Sequence, residues 1–108
     1  MTRVGRMDSP PDRRGLLALL RAERRMLERS GVRRAALVGS TARGDATAAS
    51  DVDVLVVLDP EAHVGLVGFA ALQERLRELF GRDVDLMSHR ALRPDRDRAI
   101  LDEAIWAF

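Results

Sequence analysis

The sequence predicts an α/β (α+β) fold in which a small mixed β-sheet is flanked by helices. Two strongly β-forming runs, 32–38 and 52–58, lie between segments in which apolar residues recur at helical spacing. A third run, 82–87, alternates polar and apolar residues in the manner of a strand with one buried face. The predicted order is therefore helix, strand, strand, helix, strand, helix.

Composition narrows the class of protein. The 108 residues suffice for a single core, and we expect a flexible lead-in over 1–10 and one domain over 11–108. The chain is 46% hydrophobic and 32% charged, which is typical of a folded domain. It contains no cysteine, which excludes disulfides and thiolate metal sites, and no apolar run long enough for a signal peptide or a membrane span. We therefore expect a cytoplasmic protein without a membrane partner.

Charge and aromatic content bear on nucleic-acid binding. All 18 basic residues are arginine, and they are interspersed with 17 acidic residues. A nucleic-acid groove needs basic residues gathered on one face, and the aromatic content available for base stacking is only 4%. Direct nucleic-acid binding is therefore disfavoured.

The first predicted helix has Ser9 as its N-cap and Pro10 at its first helical position, and it ends at Gly31. One side of this helix is apolar and the other carries arginines, which predicts a surface helix packed by one face. The apolar positions are Leu16, Leu19, Leu20, Met26 and Leu27.

Two further helices are predicted in the second half of the chain. The first covers 66–80 and ends at Gly81, because apolar residues recur through it at helical spacing. The second opens at Pro94 or Asp95 and runs to the C-terminus. Trp106 and Phe108, at its end, either anchor a partner or pack this helix on the sheet.

Gly39 and Ser40 form a turn directly after the first strand. Glycine allows backbone conformations and a close approach that other residues forbid. If the turn leads into a helix, free backbone N–H groups and the Ser40 hydroxyl can bind an anion such as a phosphate. An isolated Gly-Ser pair is more commonly an ordinary strand-to-helix turn, so this pair alone is weak support for a phosphate site.

Asp51 and Asp53 introduce the second strand. Residues i and i+2 of a strand face the same side, so both carboxylates project together. Adjacent carboxylates repel each other unless a cation lies between them, and Mg²⁺ binds carboxylate oxygens, water and substrate phosphates. The alternative interpretation is a pair of exposed acids at a strand edge.

A third carboxylate favours the metal site. The third strand carries Asp83 and Asp85, and either of them can join Asp51 and Asp53 if that strand lies beside the second. Three clustered carboxylates do not stabilise a sheet. A two-metal phosphoryl or nucleotidyl transfer site does use them, because two ions roughly 3.5–4 Å apart stabilise the attacking and leaving oxygens.

The combined motif resembles the signature of the polymerase-β-like nucleotidyltransferase superfamily, in particular its minimal branch, the MNT proteins. The likeness extends from about Leu16 to the C-terminus and implies the nucleotidyltransferase fold. It rests on three segments, which are Gly39-Ser40, Ala42-Arg43-Gly44-Asp45 and Ser50-Asp51-Val52-Asp53.

The resemblance implies a role for each carboxylate of the site. Asp51 and Asp53 would bind two Mg²⁺ ions. Asp85 would be the third metal-binding and catalytic carboxylate, which aligns or deprotonates the attacking hydroxyl. Asp85 is preferred to Asp83 because an aspartate between apolar residues is the usual context in the family. Asp45 would brace the loop.

The resemblance also implies the substrates and the partner. Gly39 and Ser40 would contact the triphosphate of ATP, and Arg43 would assist at the phosphates. MNT proteins of this size commonly resemble antitoxins encoded beside a HEPN-domain RNase toxin, so the resemblance implies such a partner. The expected function is therefore a Mg²⁺-dependent protein adenylyltransferase that transfers AMP from ATP to a hydroxyl, expected to be a tyrosine's, of its HEPN toxin.

Two alternative functions stay open. One is a non-catalytic antitoxin that neutralises the HEPN partner by binding alone, against which the intact carboxylates and Ser40 argue. The other is a small-molecule (antibiotic) nucleotidyltransferase, against which the small size argues, since those enzymes usually carry a further domain for the acceptor. A P-loop NTPase is excluded because no Gly-rich loop with a lysine is present. His63 and His89 are expected to be surface histidines.

Overall fold

The computed structural model describes residues 12–47 and 49–108. Their sheet has four strands in the order β3-β2-β1-β4. The central strand β1 is antiparallel to β2 and to β4, whereas β2 and β3 are parallel. This mixed sheet confirms the predicted fold class. The strands are β1 (Val32–Leu37), β2 (Val52–Leu58), β3 (Val84–Ser88) and β4 (Ile105–Trp106).

Helices cover both faces of the sheet. Leucines of α1, α2 and α4 are buried with the β-branched residues of one face, and α5 packs on the other face over Ala36, Val38 and Leu55. Both faces of β2 are therefore covered, which explains why its sequence is a continuous apolar run after Asp53. The helices are α1 (Arg13–Ala22), α2 (Arg24–Arg29), α3 (Gly39–Arg43), α4 (Leu66–Phe80) and α5 (Pro94–Glu103).

The predicted second strand and second helix are confirmed at their residues. β2 spans Val52–Leu58 and α4 spans Leu66–Phe80. Gly81 ends α4 in the left-handed conformation, with φ of 68°, as a C-terminal glycine does. None of the helices in the described part of the chain is long and apolar enough to cross a membrane.

The first predicted helix is wrong in its start and its continuity, whereas its predicted end is confirmed, since α2 ends at Arg29 and Gly31 has φ of 95°. Ser9, Pro10 and the predicted lead-in lie outside the described residues. Within them, Asp12 is the N-cap of α1, and its carboxylate accepts a hydrogen bond from the Gly15 N–H at 3.0 Å. The helix then breaks at Glu23, where ψ is 16°, and α2 follows. Because no glycine or proline lies near Glu23, we attribute the break to the packing of α1 and α2 on the sheet.

The last predicted helix is also wrong beyond Glu103. Ile105 and Trp106 form β4, which pairs with Leu37 and Ala36 of β1. The backbone of β1 would otherwise be an open sheet edge, and β4 supplies its hydrogen-bond partners. A two-residue strand is too short to show a periodicity of its own, so the sequence pattern could not distinguish it from a helix end.

The two C-terminal aromatic residues pack within the molecule. Trp106 belongs to β4 and Phe108 follows that strand, so neither lies on a helix. Trp106 packs on the side of the sheet that α5 covers, and the Arg34 guanidinium carbon lies 4.0 Å from its ring centroid. Phe108 packs against the core on the other side, with Arg24 at 5.0 Å from its ring centroid. Of the two alternatives considered for these side chains, the structure shows packing on the sheet.

Candidate functional site

The connectivity of the sheet brings the motif residues to one end of it. β1 and β2 are antiparallel, so the end of β1, where α3 begins at Gly39, lies beside the start of β2. β3 is parallel to β2, and Asp85 is the register partner of Asp53. Register partners on neighbouring strands point to the same face, with the strands about 4.8 Å apart. Gly39, Ser40, Asp53 and Asp85 are therefore neighbours in space.

Gly39 owes its position to the lack of a side chain. Its φ is 60°, a left-handed conformation that other residues adopt only with strain. A Cβ atom at Gly39 would lie 2.8 Å from Oδ2 of Asp53, closer than real Cβ atoms come to any neighbour. The backbone of Gly39 and the carboxylate of Asp53 can be in contact only because this atom is missing.

Ser40 and Thr41 hold Asp53 at two points. The Ser40 hydroxyl donates to Oδ2 of Asp53 at 3.5 Å, which is long and therefore weak. The backbone N–H of Asp53 donates to the Thr41 hydroxyl at 3.2 Å. Thr41 is 4% exposed, the single buried polar or charged residue in the described part of the chain. The sequence interpretation did not include Thr41, because a threonine in a polar loop carries no sign of its burial.

The surroundings of Asp53 disfavour its ionised form. Burial raises the pKa of the Asp53 carboxyl above its ordinary value, and the negative charges of Asp85 and Asp51 raise it further. The Ser40 hydrogen bond and the charge of Arg43 oppose this rise in pKa. Without a cation, the carboxylates at this end of the sheet repel one another.

The described residues fit a divalent cation that also binds ligands from outside the protein. Asp51 and Asp85 are exposed and Asp53 is half-buried, so their carboxylate oxygens are accessible. Among residues 12–47 and 49–108, no three acidic or histidine side chains converge closely enough to hold a metal ion by themselves. A Mg²⁺ ion here would complete its shell with water and phosphate oxygens, as it does in nucleotide sites.

Asp83 and Asp85 have different surroundings. Asp83 forms an ion pair with Arg77 of α4 at 2.9 Å. Asp85 stands directly beside Asp53 and raises the pKa of that residue. Of the two aspartates of this segment, Asp85 is therefore the one that lies beside Asp53.

Arg43 is held by two carboxylates. It donates to Oδ2 of Asp45 at 3.2 Å and to Oε1 of Glu103, in α5, at 3.1 Å. The hydrogen bond to Asp45, followed by that to Glu103, raises the pKa of the Arg43 guanidinium. Asp45 thus braces the loop through Arg43, as the sequence predicts. These bonds use two of the five N–H donors of the guanidinium, so Arg43 can contact a phosphate while it keeps both partners.

The two histidines are exposed. His63 lies at a turn with φ of 51°, and His89 begins a short 3₁₀ turn after β3. The prediction of surface histidines is confirmed.

The raised pKa of Asp53 predicts how stability depends on pH. The folded protein binds the Asp53 proton more tightly than the unfolded chain does. The resulting stabilisation is fully present below the ordinary carboxyl pKa of 3.8 and is lost as pH rises through the raised value. At neutral pH without metal, Asp53→Asn should therefore melt no lower than the wild type, and any advantage should vanish below about pH 3.8. Thermal melting followed by circular dichroism tests this, and a large fall in the melting temperature of Asp53→Asn at neutral pH would contradict it.

Comparison with protein families and curated proteins shows which family the chain belongs to. The family model described as "Nucleotidyltransferase domain" matches residues 19–107. A protein adenylyltransferase MntA of Thermococcus cleftensis is 38% identical over 90 residues, which cover 82% of this chain and 89% of that protein. A protein of Methanocaldococcus jannaschii, provisionally named a protein adenylyltransferase, is 32% identical over 80 residues, which cover 74% of this chain and 84% of that protein.

Solved structures agree in fold. A structure provisionally named a minimal nucleotidyltransferase superposes with a TM-score of 0.75 at 36% identity, covering 88% of this chain and 95% of that one. A tri-AMPylated HEPN toxin of Shewanella oneidensis in complex with its MNT antitoxin gives a TM-score of 0.62 at 15% identity, covering 86% and 71%. The latter likeness shows the fold alone. The resemblance to the minimal nucleotidyltransferases is confirmed, and the chain belongs to the nucleotidyltransferase domain family, among relatives named protein adenylyltransferases.

Proposed function

We propose that this protein is a Mg²⁺-dependent protein adenylyltransferase that acts as an antitoxin. It transfers AMP from ATP to the hydroxyl group of a tyrosine on a cognate HEPN RNase toxin. The observation that carries the proposal is the juxtaposition of Gly39 and Ser40 with Asp53 and its register partner Asp85. The names of the relatives and the toxin–antitoxin complexes among the fold neighbours support it. A neighbouring toxin–antitoxin structure contains AMP-PNP, which supports ATP as the nucleotide. The use of ATP also supports the expected cytoplasmic location.

In this proposal, Gly39 and Ser40 contact the triphosphate. Gly39 and Ser40 open α3, and the first backbone N–H groups of a helix lack acceptors within it, so they can bind an anion. The Ser40 hydroxyl, which forms only a weak bond to Asp53, is available to a phosphate oxygen. Arg43 would assist at the phosphates through guanidinium N–H groups that its bonds to Asp45 and Glu103 do not use.

The carboxylates would hold the metal and the acceptor. Asp51, Asp53 and Asp85 supply the oxygen ligands that Mg²⁺ prefers, and bound Mg²⁺ would neutralise charge on the triphosphate. Asp85, the more exposed of the register pair, would orient the attacking hydroxyl and accept its proton. The acceptor oxygen forms its bond to the α-phosphorus while the bond to pyrophosphate breaks, and pyrophosphate leaves. The chain would contribute chiefly by positioning these groups.

The test is intact-mass spectrometry of the HEPN protein encoded beside this chain, after incubation with the wild-type protein, ATP and Mg²⁺. We expect the partner to gain the mass of at least one AMP group, and tandem mass spectrometry to place it on a tyrosine. A matched sample with EDTA should show no gain. An unchanged mass in a stable complex of the two proteins would overturn the proposal in favour of neutralisation by binding alone.

A further inference from the structure

Arg82 connects two parts of the chain that carry site residues. It precedes β3, the strand of Asp85, and is half-buried. Its Nη2 atom donates to the backbone oxygen of Thr47 at 2.9 Å and to that of Ser50 at 2.8 Å. Thr47 and Ser50 belong to the loop between α3 and β2, which ends at Asp51. One side chain therefore joins the loop that carries Asp51 to the start of the strand that carries Asp85.

The two residues that supply these carbonyl groups are also hydrogen-bonded to each other. The Ser50 N–H donates to the Thr47 oxygen at 3.0 Å, and the Thr47 N–H donates to the Ser50 hydroxyl at 3.0 Å. Residues 44–51 contain only small or acidic side chains and no large apolar group that could anchor the turn in the core. The guanidinium of Arg82 connects this part of the loop to the segment that precedes β3.

Asp51 lies between two residues that both contact the segment 82–83. On one side, Ser50 accepts from Arg82. On the other side, the Val52 N–H donates to the Asp83 oxygen at 2.9 Å, which starts the ladder between β2 and β3. Asp51 itself is exposed and precedes the first residue of β2. Its backbone is therefore positioned by residues 82 and 83 rather than by the sheet alone.

The conformation of Arg82 has a cost. Its Nε atom is buried and has no hydrogen-bond partner among the described residues, and a buried donor without an acceptor opposes folding. The adjacent Asp83 pairs with Arg77 instead of Arg82. The side chain is thus held in place by its two bonds to the loop, which are charge-assisted and so stronger than neutral ones.

We propose that Arg82 is a positioning residue, which sets Asp51 relative to Asp53 and Asp85 and so determines the affinity of the site for its divalent cation. The inference rests on the proposed function in assigning Asp51 to metal binding and in placing a nucleotide at the same site. Arg82 touches neither nucleotide nor metal in this proposal. It acts through the loop backbone, in the way that outer-shell partners orient metal ligands.

The test measures cation binding directly. Mn²⁺ binding to the protein with AMP-PNP is followed by electron paramagnetic resonance for the wild type, Arg82→Ala and the control Arg75→Ala. Arg75 is an exposed arginine of α4 whose side chain forms no hydrogen bond or ion pair with another described residue. We expect Arg82→Ala to weaken Mn²⁺ binding by roughly 10–100-fold, the range for loss of an outer-shell partner, and Arg75→Ala to leave it unchanged.

Two further readouts separate positioning from general destabilisation. Hydrogen–deuterium exchange should rise in the peptide covering 44–53 of Arg82→Ala and stay unchanged in the peptide covering α4. In an Asp51→Asn background, Arg82→Ala should weaken Mn²⁺ binding no further. Unchanged Mn²⁺ affinity in Arg82→Ala, or an equal loss in the Asp51→Asn background, would overturn the inference. Because neither readout needs AMP transfer, a wild-type protein that transfers no AMP would refute the proposed function and leave this test intact.

Discussion

Asp53→Asn is expected to lower the rate of AMP transfer by at least about a thousandfold, since Asp53 is proposed to bind the metal and its loss would remove several kcal/mol of transition-state stabilisation. Asp53 lies at the centre of the candidate site, because it is in contact with or directly beside Gly39, Ser40, Thr41 and Asp85. The amide of asparagine has nearly the same shape as the carboxylate and can still accept the Ser40 hydrogen bond. The backbone bond from the Asp53 N–H to Thr41 is unaffected by the substitution. The loss should therefore be chemical and not structural.

The measurement is the initial rate of AMP incorporation into the HEPN partner, followed by intact mass over time. Asp102→Asn is the matched control, because Asp102 is an exposed carboxylate of α5 with no hydrogen bond or ion pair to another described residue. The control should transfer AMP at the wild-type rate. Retention of more than about a tenth of the wild-type rate in Asp53→Asn would remove Asp53 from the catalytic machinery.

Gly39→Ala should lower the same rate by about a hundredfold or more, in the range seen when one stabilising group of an active site is lost. Two effects act together at this position. A residue with a side chain at φ of 60° is strained by roughly 1–2 kcal/mol. In addition, the new Cβ atom would lie 2.8 Å from Oδ2 of Asp53, so the carboxylate must move. Since Asp53 lies beside Asp85 and Ser40, its displacement disturbs the whole site.

Two other glycines separate these effects. Gly81 has φ of 68° but nothing within 4 Å of its Cβ position, so Gly81→Ala introduces backbone strain alone. Gly65 has neither a positive φ nor a neighbour within 4 Å, so Gly65→Ala introduces neither effect. Melting temperatures should fall for Gly39→Ala and Gly81→Ala, whereas transfer should fall strongly only for Gly39→Ala. Equal rates for the Gly39 and Gly81 variants would show that Gly39 serves the turn and not the site.

The secondary structure was predictable where a local pattern was complete. The continuous run of β-branched and leucine residues in β2 and the terminal glycine of α4 are both local signals, and both elements have their predicted bounds. The five-residue helix α3 was absent from the predicted order, because a helix this short shows little periodicity. The break at Glu23 and the strand at Ile105 were missed because packing on the sheet overrides the local preference there.

The candidate site was predictable to the extent that its residues are close in sequence. Gly39, Ser40, Asp51 and Asp53 lie within one 15-residue stretch, so their spacing carries the resemblance. Arg43 was predicted from the same stretch. Its partner Glu103 is 60 residues away, and no local pattern indicates that the two residues are in contact. Neither Thr41 nor Arg82 was foreseen, because their importance comes from burial and from contacts across the sheet.

The sequence by itself determined the class of chemistry, since a Gly-Ser turn followed by two aspartates at strand spacing is a property of a short segment. The sequence context favoured Asp85 over Asp83, but only the tertiary structure shows Asp85 beside Asp53 and Arg82 in contact with the loop before Asp51. The physical reason is register. The parallel pairing of β2 with β3 follows from the packing of apolar residues on both faces of the sheet, and a shift of one residue would turn every side chain to the opposite face.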